Sequence, residues 1–379
     1  MIVIGVDTHK RSHTLVALDA ATGAARGQLT IPATDDGTLE ALRFAGELDS
    51  ERVWALEDCR HVSGRLERGV VASGERVVRV APALTETSRR AVREPGKSDP
   101  IDATAIARAA LREGIDTLPV AFLDEQALEI RVLTDYRDQL VNERVRLASR
   151  LRWHLVQIAP ELEAQVRPQG LVGPRIRAMV GRGLARLPRS PRVRVAKAIL
   201  KRINEIYREE GELLAEIKVL IEAHCPALLD EHGCGPVTAA IIIGHTAGAK
   251  RFPTDACFAR HAGTAPIPAS SGNTKRHRLH RGGDRQLNRA LHIIALSKAR
   301  TDPATRAYLD RRHAEGKTKL EAIRCLKRHL ARRIWRLLYD TQPPTTPPPA
   351  LALIPPPPPH KRPTSTIVGA APTLMPCTR

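Results

Sequence analysis

Apolar and polar residues follow a period of two near the start of the chain and a helical period farther on. Residues 2–6 form an apolar run and the alternation resumes at 14–18, which predicts two strands joined by a short polar turn. The further elements predicted before residue 118 are a strand at 27–33, a helix near 37–48, a strand at 52–57, a helix at 61–74 and a strand at 76–81. Three adjacent strands followed by alternating helix and strand predict an α/β sheet with an antiparallel edge.

Leucine and isoleucine recur at helical spacing between residues 119 and 230. One series runs through a strongly charged segment and comprises Leu133, Leu140, Leu147, Leu151 and Ile158. A second series comprises Ile199, Ile203, Ile206, Leu213, Ile217 and Leu220, with Glu210 as its interruption. Such a seam predicts a coiled-coil hairpin or a dimer contact, and two helices packed on their own domain are the alternative.

Residues 231–340 are predicted to form a further, mostly helical unit. It opens with "HGCGPVTAAIIIGHTAG", in which Gly233 and Gly235 bracket a turn that runs into a helix of small residues. This arrangement resembles a helix-hairpin-helix element, whose backbone amides can hold a phosphate. Residues 341–379 contain 13 of the 29 prolines and no acidic residue, which predicts a disordered or polyproline-like tail.

The charge of the chain narrows the class of partner. A chain of 379 residues is long enough for two or three domains, and its formal net charge is +19. A surplus of this size favours phosphate-rich partners. Aromatic residues make up only 3% of the chain, so we expect contacts to the nucleic-acid backbone rather than stacking on successive bases.

A basic segment separates the two predicted long helices. It reads "RPQGLVGPRIRAMVGRGLARLPRSPRVR" over residues 167–194 and contains no acidic residue. Its glycines and prolines predict no long helix, and its charge predicts a segment that bends around a phosphate backbone, with Arg175, Arg177 and Arg182 as contacts. A solvated basic loop is the alternative.

Cysteine spacing and hydropathy bear on the cellular location. The chain has six cysteines, none of them in a CxxC pair or another spacing typical of zinc sites, so we expect reduced thiols in the cytoplasm. There is no apolar run of 18 residues, so we expect neither a signal peptide nor a membrane span.

Four carboxylates stand at the ends of predicted elements. Asp7 ends the first strand, Glu57 ends "VWALE", and Asp99 and Asp102 lie three residues apart at the start of a helix. Clustered carboxylates repel one another unless a cation neutralises them, and oxygen ligands suit Mg²⁺ or Mn²⁺. The alternative is structural, because Asp99 before Pro100 is also typical of a helix N-cap.

A serine pair is followed by a basic stretch in "AGTAPIPASSGNTKRHRLHRGGDRQLNRAL". The residues "SSGN" alone predict a loop with a structural serine. The cations that follow are opposed by one acid, Asp284, and comprise Lys275, Arg276, Arg278, Arg281, Arg285 and Arg289. They are candidates for contacts to nucleic acid.

The ordered set of "IGVDTHK", "WALE", "KSDPIDA" and the serine-bearing stretch resembles a family of bacterial insertion-sequence transposases, the bridge recombinases. The resemblance covers residues 1–340. It implies a RuvC-like, RNase H-like DEDD domain at 1–118, a helical coiled-coil region at 119–230 and a mostly α-helical serine transposase domain at 231–340, with the tail outside it.

The resemblance also implies the residues that carry the chemistry. It assigns the metal-binding tetrad to Asp7, Glu57, Asp99 and Asp102. Its glycine-to-serine-glycine segment assigns the nucleophile to Ser271, immediately before Gly272, rather than to Ser270.

The mechanism implied by the resemblance begins with attack of the serine on a DNA phosphodiester. A phosphoserine link to the 5′ end forms, and the freed 3′ hydroxyl later attacks a partner strand. The family further implies double-stranded DNA of the element ends and target as substrate and a structured guide RNA. It also implies a dimer or tetramer whose protomers share the site, acting at the nucleoid.

Two other functions are compatible with the same residues. A RuvC-like junction nuclease would use metal-activated water in place of Ser271. A non-catalytic scaffold would bind RNA or DNA through its basic surfaces alone.

Overall fold

The N-terminal part of the chain is a mixed sheet with helices on both faces. The computed structural model describes residues 1–57, 60–90, 98–121, 124–166, 170–269, 277–280 and 282–341. The strands are β1 (Ile2–Thr8), β2 (Ser12–Asp19), β3 (Ala25–Pro32), β4 (Arg52–Glu57) and β5 (Val77–Val80). Their order is β3-β2-β1-β4-β5; β1, β4 and β5 run parallel, and β2 is antiparallel to both neighbours. The predicted α/β sheet with an antiparallel edge is confirmed.

In the described part of the chain four helices pack around this sheet, and the alternation of β1 decides which of its side chains face each layer. The helices are α1 (Asp35–Leu48), α2 (Arg60–Ala72), α3 (Pro82–Arg90) and α4 (Asp99–Glu113). Ile4 and Val6 pack in one core cluster with residues of α1 and α2. Val3 packs on the opposite face with residues of α4. Because side chains alternate along a strand, Gly5 and Asp7 share the α4 face with Val3.

Helix α4 lies directly on β1, and a glycine makes this possible. A Cβ atom added to Gly5 would stand 2.0 Å from the carbonyl oxygen of Ala103 and 2.7 Å from the amide nitrogen of Ala107. Both are backbone atoms of α4, so no side-chain rotation relieves the clash. The absent side chain at Gly5 therefore sets how closely α4 approaches the sheet.

We predict that Gly5→Ala lowers the free energy of unfolding by about 3 kcal/mol, because α4 must shift away from β1. Urea-induced unfolding of the full chain measures this change. The matched control is Gly46→Ala on an exposed position of α1, where nothing lies within 4 Å of the added Cβ. That substitution should raise the free energy of unfolding by about 0.5–1 kcal/mol. Equal effects of the two variants would contradict the role assigned to Gly5.

The middle of the chain is an antiparallel pair of long helices with a smaller helical unit at its tip. The helices are α5 (Glu125–Ile158), α6 (Pro160–Ala164), α7 (Pro174–Arg186) and α8 (Pro191–His224). Helices α5 and α8 each have 34 residues, which gives a length of about 50 Å. The two predicted long helices are thereby confirmed, and their coiled-coil geometry stays a prediction.

The glutamate that interrupts the second apolar series has a partner across the helix pair. Arg144 Nε donates to Glu210 Oε1 over 2.7 Å, and Arg144 Nη1 donates to the hydroxyl of Tyr207 over 2.7 Å. Leu140 and Ile206 are buried close by. Glu210 therefore sits in the seam as half of an ion pair between α5 and α8.

The C-terminal part of the chain is helical and packs around its own core. Its elements are α9 (Pro236–Thr246), α10 (Asp255–His261), β6 (Ile267–Pro268), β7 (His277–Arg278), α11 (Arg285–Thr301), α12 (Pro303–Ala314) and α13 (Lys319–Thr341). The core includes Phe252 and Phe258 and also takes in Ile130 from α5 and Ile217 from α8. The base of the helix pair is thus embedded in the C-terminal core, while the domain boundaries predicted at 118, 230 and 340 stay predictions.

The turn predicted before α9 is present. Gly233 has a φ of 85°, and a Cβ there would stand 2.9 Å from the Cβ of Ser297. Gly235 is the N-cap of α9, and Pro236 is its first residue. The phosphate-binding role of this turn stays a prediction.

Two sequence-based expectations concern thiols and membranes. Within the described residues Cys225, Cys234, Cys257 and Cys325 are free thiols, while Cys59 and Cys377 lie outside them. No described helix combines the length and the apolar composition that a membrane span needs. The proline-rich tail from residue 342 also lies outside the described residues.

Candidate metal centre and nucleic-acid interface

Two of the four predicted carboxylates are brought together by the parallel pairing of β1 and β4. Val6 lies opposite Leu56 in this pairing, so Asp7 and Glu57 follow at the same carboxyl edge of the sheet. Leu56 packs on the α1 and α2 side, so Glu57, the next residue, is directed to the α4 side, as Asp7 is. Both carboxylates therefore face the helix that carries the other two.

Helix α4 supplies Asp99 and Asp102 from its first turn. The N-cap is Ser98, which forms no side-chain cap hydrogen bond, and Asp99 is the first helical residue. Asp99 therefore does not act as the N-cap, which was the structural alternative for this residue. Its Oδ1 instead lies 3.3 Å from His9 Nε2.

His9 lies between two of the carboxylates and was not among the predicted site residues. Its Nε2 is 3.1 Å from Asp7 Oδ2, and one potential ligand atom from each of Asp7, His9 and Asp99 lies within 4.8 Å of the others. The signal available in the sequence was its position two residues after Asp7, beyond the end of β1. A histidine here adds either a positive charge or a nitrogen ligand to an otherwise carboxylate cluster.

The pKa of Asp7 depends on the charges of the other three carboxylates and of His9. Burial raises the pKa of Asp7, and the negative charges of Asp102, Asp99 and Glu57 raise it further, while His9 acts in the opposite direction. Asp7 Oδ2 is buried and accepts no well-formed hydrogen bond from the described residues. A buried carboxylate oxygen that has His9 as its cationic neighbour and three further carboxylates acting on it fits a divalent cation such as Mg²⁺ or Mn²⁺.

Arg89 is a second residue that the sequence-based analysis missed. Its Nη1 lies 3.1 Å from Asp102 Oδ1. It belongs to α3, which follows β5 and packs beside α4. The spacing of residues along the sequence does not indicate a contact of this kind between separate helices. Arg89 orients Asp102 and offsets part of the negative charge of the cluster.

The predicted nucleophile lies outside the described residues. The same is true of its neighbour and of three of the predicted basic contacts. The predicted residues outside the described part of the chain are Ser270, Ser271, Lys275, Arg276 and Arg281. The strands that flank this serine-bearing segment are described, and β6 pairs with β7 through Ile267 opposite Arg278. The distance between Ser271 and the carboxylate cluster stays a prediction.

The other predicted basic contacts are mostly exposed. In the C-terminal part Arg278, Arg285 and Arg289 are exposed, and in the basic segment Arg175 and Arg182 are exposed on α7. Helix α7 has only 13 residues, in agreement with the prediction that this segment forms no long helix, but residues 191–194 of the segment already belong to the long helix α8. The exposed guanidinium groups are available to phosphate oxygens.

Arg177 is the exception, and we withdraw it from the predicted nucleic-acid contacts. Its side chain is 9% exposed, its Nε donates to Asn204 over 2.7 Å, and its Nη1 donates to the carbonyl oxygen of Val172. The guanidinium carbon also lies 3.8 Å from the ring centroid of Tyr207. Arg177 fixes α7 to α8 and does not face solvent.

Comparisons with known proteins point to one family. A model of transposases, of the DEDD type found with IS110, matches residues 4–160. A second model, described as the transposase IS116/IS110/IS902 family, matches residues 225–310.

Several insertion-element proteins are similar along much of their length. The uncharacterized 43.6 kDa protein of insertion element IS110 from Streptomyces coelicolor is 30% identical over 64% of this chain and 71% of its own length. The 42 kDa protein of IS900 from Mycobacterium paratuberculosis is 26% identical, and the 44.8 kDa protein of IS116 from Streptomyces clavuligerus is 27% identical. Each of these two alignments covers 89% of this chain and 95% of the relative.

Proposed function

The chain belongs to the IS110 family of insertion-sequence transposases, and we propose that it cleaves and exchanges DNA strands at a divalent-metal centre acting together with a serine nucleophile. Membership of this family makes the protein a DNA-processing enzyme with an N-terminal DEDD, RuvC-like domain. The choice of residues, the metal and the covalent intermediate are the proposal.

The observation that supports the proposal is geometric: Asp7 and Glu57 lie at the same carboxyl edge of β1 and β4, facing the helix whose first turn carries Asp99 and Asp102. These four carboxylates, with His9 beside them, would hold Mg²⁺ or Mn²⁺. When bound, such ions polarise a phosphodiester and stabilise charge on the attacking and leaving oxygens. Around this centre Arg89 keeps Asp102 in position, and the close packing of α4 on β1 excludes water from the buried side of Asp7.

The role of Ser271 rests on the position of this residue in the sequence motif. In the proposed step its Oγ attacks the phosphorus of a DNA phosphodiester and loses its proton. The bond from phosphorus to the 3′ oxygen breaks, the 3′ oxygen leaves as a hydroxyl after taking up a proton, and the 5′ phosphate stays on the serine. The freed 3′ hydroxyl then attacks the phosphorus of a phosphoserine on a partner strand and loses its proton. The bond from phosphorus to the serine oxygen breaks, the serine hydroxyl is regenerated, and the new phosphodiester completes the exchange.

The partners we propose are double-stranded DNA of the element ends and target and a structured guide RNA. The net charge of +19 and the 3% aromatic content support binding through the nucleic-acid backbone, with base pairing to an RNA reading the sequence. We place this activity in the cytoplasm, at the nucleoid.

We further propose a dimer or tetramer. The outer face of the α5–α8 pair carries the large exposed side chains of Val145, Trp153 and Val156. Exposed apolar side chains grouped on one helix favour contact with a second copy of the chain.

The direct test incubates the full chain with DNA that carries the element ends and a target, with RNA transcribed from the flanks of the coding region. Strand exchange in Mg²⁺ that stops in EDTA is the expected result. Hydrolysis without rejoining would favour a RuvC-like junction nuclease. Binding without cleavage under every RNA and metal tested would favour a non-catalytic scaffold.

We predict that nucleic-acid affinity falls steeply with salt and that the double variant Arg175→Ala, Arg182→Ala flattens this dependence. Each lost phosphate contact should lower the slope of log affinity against log salt by about 0.9. Fluorescence anisotropy with labelled duplex DNA over a salt series measures the slope. Lys218→Ala, an exposed cation of α8 outside the basic segment, is the control and should leave the slope unchanged. A slope that is flat in the parent chain would contradict a backbone-dominated contact.

A further inference from the structure

A basic cavity lies beside strand β7 in the C-terminal part of the chain. Its volume is about 420 Å³, within the range of roughly 300–1,000 Å³ typical of ligand sites. Its walls come from the turn after α10, β7, α12 and the first half of α13. The acidic lining residues are Glu315 and Glu321, whereas the basic ones are Arg278, Arg312, Lys317, Arg324, Lys327 and Arg328. The excess of positive charge suits an anion.

The central feature of this cavity is the buried side chain of Lys327, which donates a hydrogen bond to a neutral amide. Lys327 is 5% exposed, and its Nζ donates to the amide oxygen of Asn288. Among the described residues no carboxylate forms an ion pair with it. Burial, with a contribution from Arg324, lowers the pKa of Lys327 to about 8. A buried ammonium group that meets only a neutral amide destabilises the fold unless a ligand supplies the missing negative charge.

Asn288 is itself fixed, so the lysine is held in place. Its Nδ2 donates to the carbonyl oxygens of Ala262 and Gly263, both over 2.9 Å. These carbonyls belong to the turn that leads from α10 to β6. A chain of contacts thus runs from α13 through α11 to that turn, which is the position expected of a preorganised binding group.

Arg328 also offers an unused hydrogen-bond donor beside the cavity. Arg328 uses Nη2 for Asp255, while its buried Nη1 has no hydrogen-bond partner among the described residues. The pKa of His329 is lowered by burial and then by Arg332, Arg312 and Arg328. The pKa of His292 is lowered by burial and then by Lys327. The positive potential that contributes to lowering these two pKa values would be offset by an anion in the cavity.

We propose that this cavity binds a phosphodiester group of a nucleic-acid strand, with Lys327 donating to a phosphate oxygen. The proposal rests on the proposed function, because it takes the strand to be the one processed beside the serine-bearing segment. A phosphodiester fits since it carries one negative charge with several acceptor oxygens, which matches a lysine and a guanidinium edge. The exposed Arg278 of β7 lies at the same cavity and can contact the next phosphate along the strand.

The test compares the full chain, Lys327→Met and Arg336→Met. Methionine has about the length of lysine and no charge, and Arg336 is exposed nine residues farther along α13, outside the cavity lining. Affinities for single-stranded DNA, duplex DNA and RNA of one sequence are measured by anisotropy in EDTA over a salt series. We expect Lys327→Met to weaken binding of at least one of these about tenfold and to lower the salt slope by about 0.9. Arg336→Met should change affinity less than twofold.

A second measurement separates a binding role from a structural one. If Lys327 is held for a ligand, Lys327→Met should unfold at the same temperature as the parent chain or higher in the absence of nucleic acid. Inorganic phosphate should raise the unfolding temperature of the parent chain, compared with chloride of equal ionic strength, and should not raise that of the variant. The nucleic acid that Lys327→Met binds less tightly than the parent chain does is the kind of strand that occupies the cavity.

Three outcomes would overturn the proposal. The first is loss of thermal stability without loss of affinity, which would make Lys327 structural. The second is equal loss of affinity in Lys327→Met and Arg336→Met. The third is protection by inorganic phosphate without any effect on the three nucleic acids, which would indicate a free phosphate site. All binding is measured in EDTA, so failure here leaves the metal-dependent cleavage untouched, and failure of cleavage leaves the cavity untouched.

Discussion

Asp102→Asn is expected to abolish metal-dependent DNA cleavage, by at least about 10³-fold, while affinity for DNA stays within about twofold of the parent chain. The loss corresponds to about 4 kcal/mol of transition-state stabilisation. Asparagine keeps the shape of the side chain but removes the charge that Asp102 contributes beside Asp7. Cleavage of a labelled substrate in Mg²⁺, together with anisotropy in EDTA, measures both quantities.

The control for this variant is Asp116→Asn, an exposed carboxylate of the same N-terminal part that pairs with Arg76. It should cleave at the parent rate.

Asp7→Asn tests the same centre through thermal stability, because it removes a buried carboxylate that repels its neighbours. In EDTA this variant should unfold at a higher temperature than the parent chain, and in saturating Mg²⁺ the difference should shrink or reverse. Full cleavage by Asp102→Asn would refute the metal centre.

Ser271→Ala is expected to eliminate the covalent link between protein and DNA and to reduce strand exchange to background. The substitution removes the only atom that forms the proposed phosphoserine bond, and alanine cannot replace it. A denaturing gel of end-labelled substrate detects the adduct, and mass spectrometry of its peptides locates the nucleotide. Ser270→Ala is the matched control and should form the adduct normally.

The alternative nucleophile gives a different result in the same assay. If water attacks the phosphodiester, Ser271→Ala will cleave DNA at near the parent rate. Neither the parent protein nor the variant will then form a covalent adduct with DNA. If the motif has been aligned one residue out of place, Ser270→Ala will be the inactive variant. Either result would identify the attacking group without dependence on the metal centre.

The N-terminal sheet could be predicted from the sequence because each of its strands has a strong local signal. The apolar run of β1 and "VWALE" of β4 gave both strand positions, and the residue type at their ends gave Asp7 and Glu57. Strand alternation then directs both carboxylates to the α4 side. The strand positions depend only on local periodicity, whereas the face of the sheet that α4 covers is known from the structure.

Contacts between distant segments could not be predicted in this way. Arg89 reaches Asp102 because α3 packs beside α4, and Arg177 is buried because it meets Asn204 and Tyr207 of another helix. An arginine in a basic segment looks the same in the sequence whether it faces solvent or a neighbouring helix. Lys327 is a similar case, because it lies on a helix rich in charged residues and its side chain is nevertheless buried.

Strand β1 is buried on both faces, and this affects how its register in the sheet is fixed. A strand that alternates between apolar and polar residues resists slippage because a shift by one residue would bury polar groups. Residues 2–6 are apolar throughout, so a one-residue slip would still bury apolar side chains. It would, however, bring Ile4 or Val6 beneath α4, where only a hydrogen atom fits. The direction in which the Asp7 side chain points is therefore enforced by the absence of a side chain at Gly5, two positions before it. A single-residue insertion ahead of Gly5 should be absorbed by the N-terminus, whereas one between Gly5 and Asp7 would turn the carboxylate to the wrong side of the sheet.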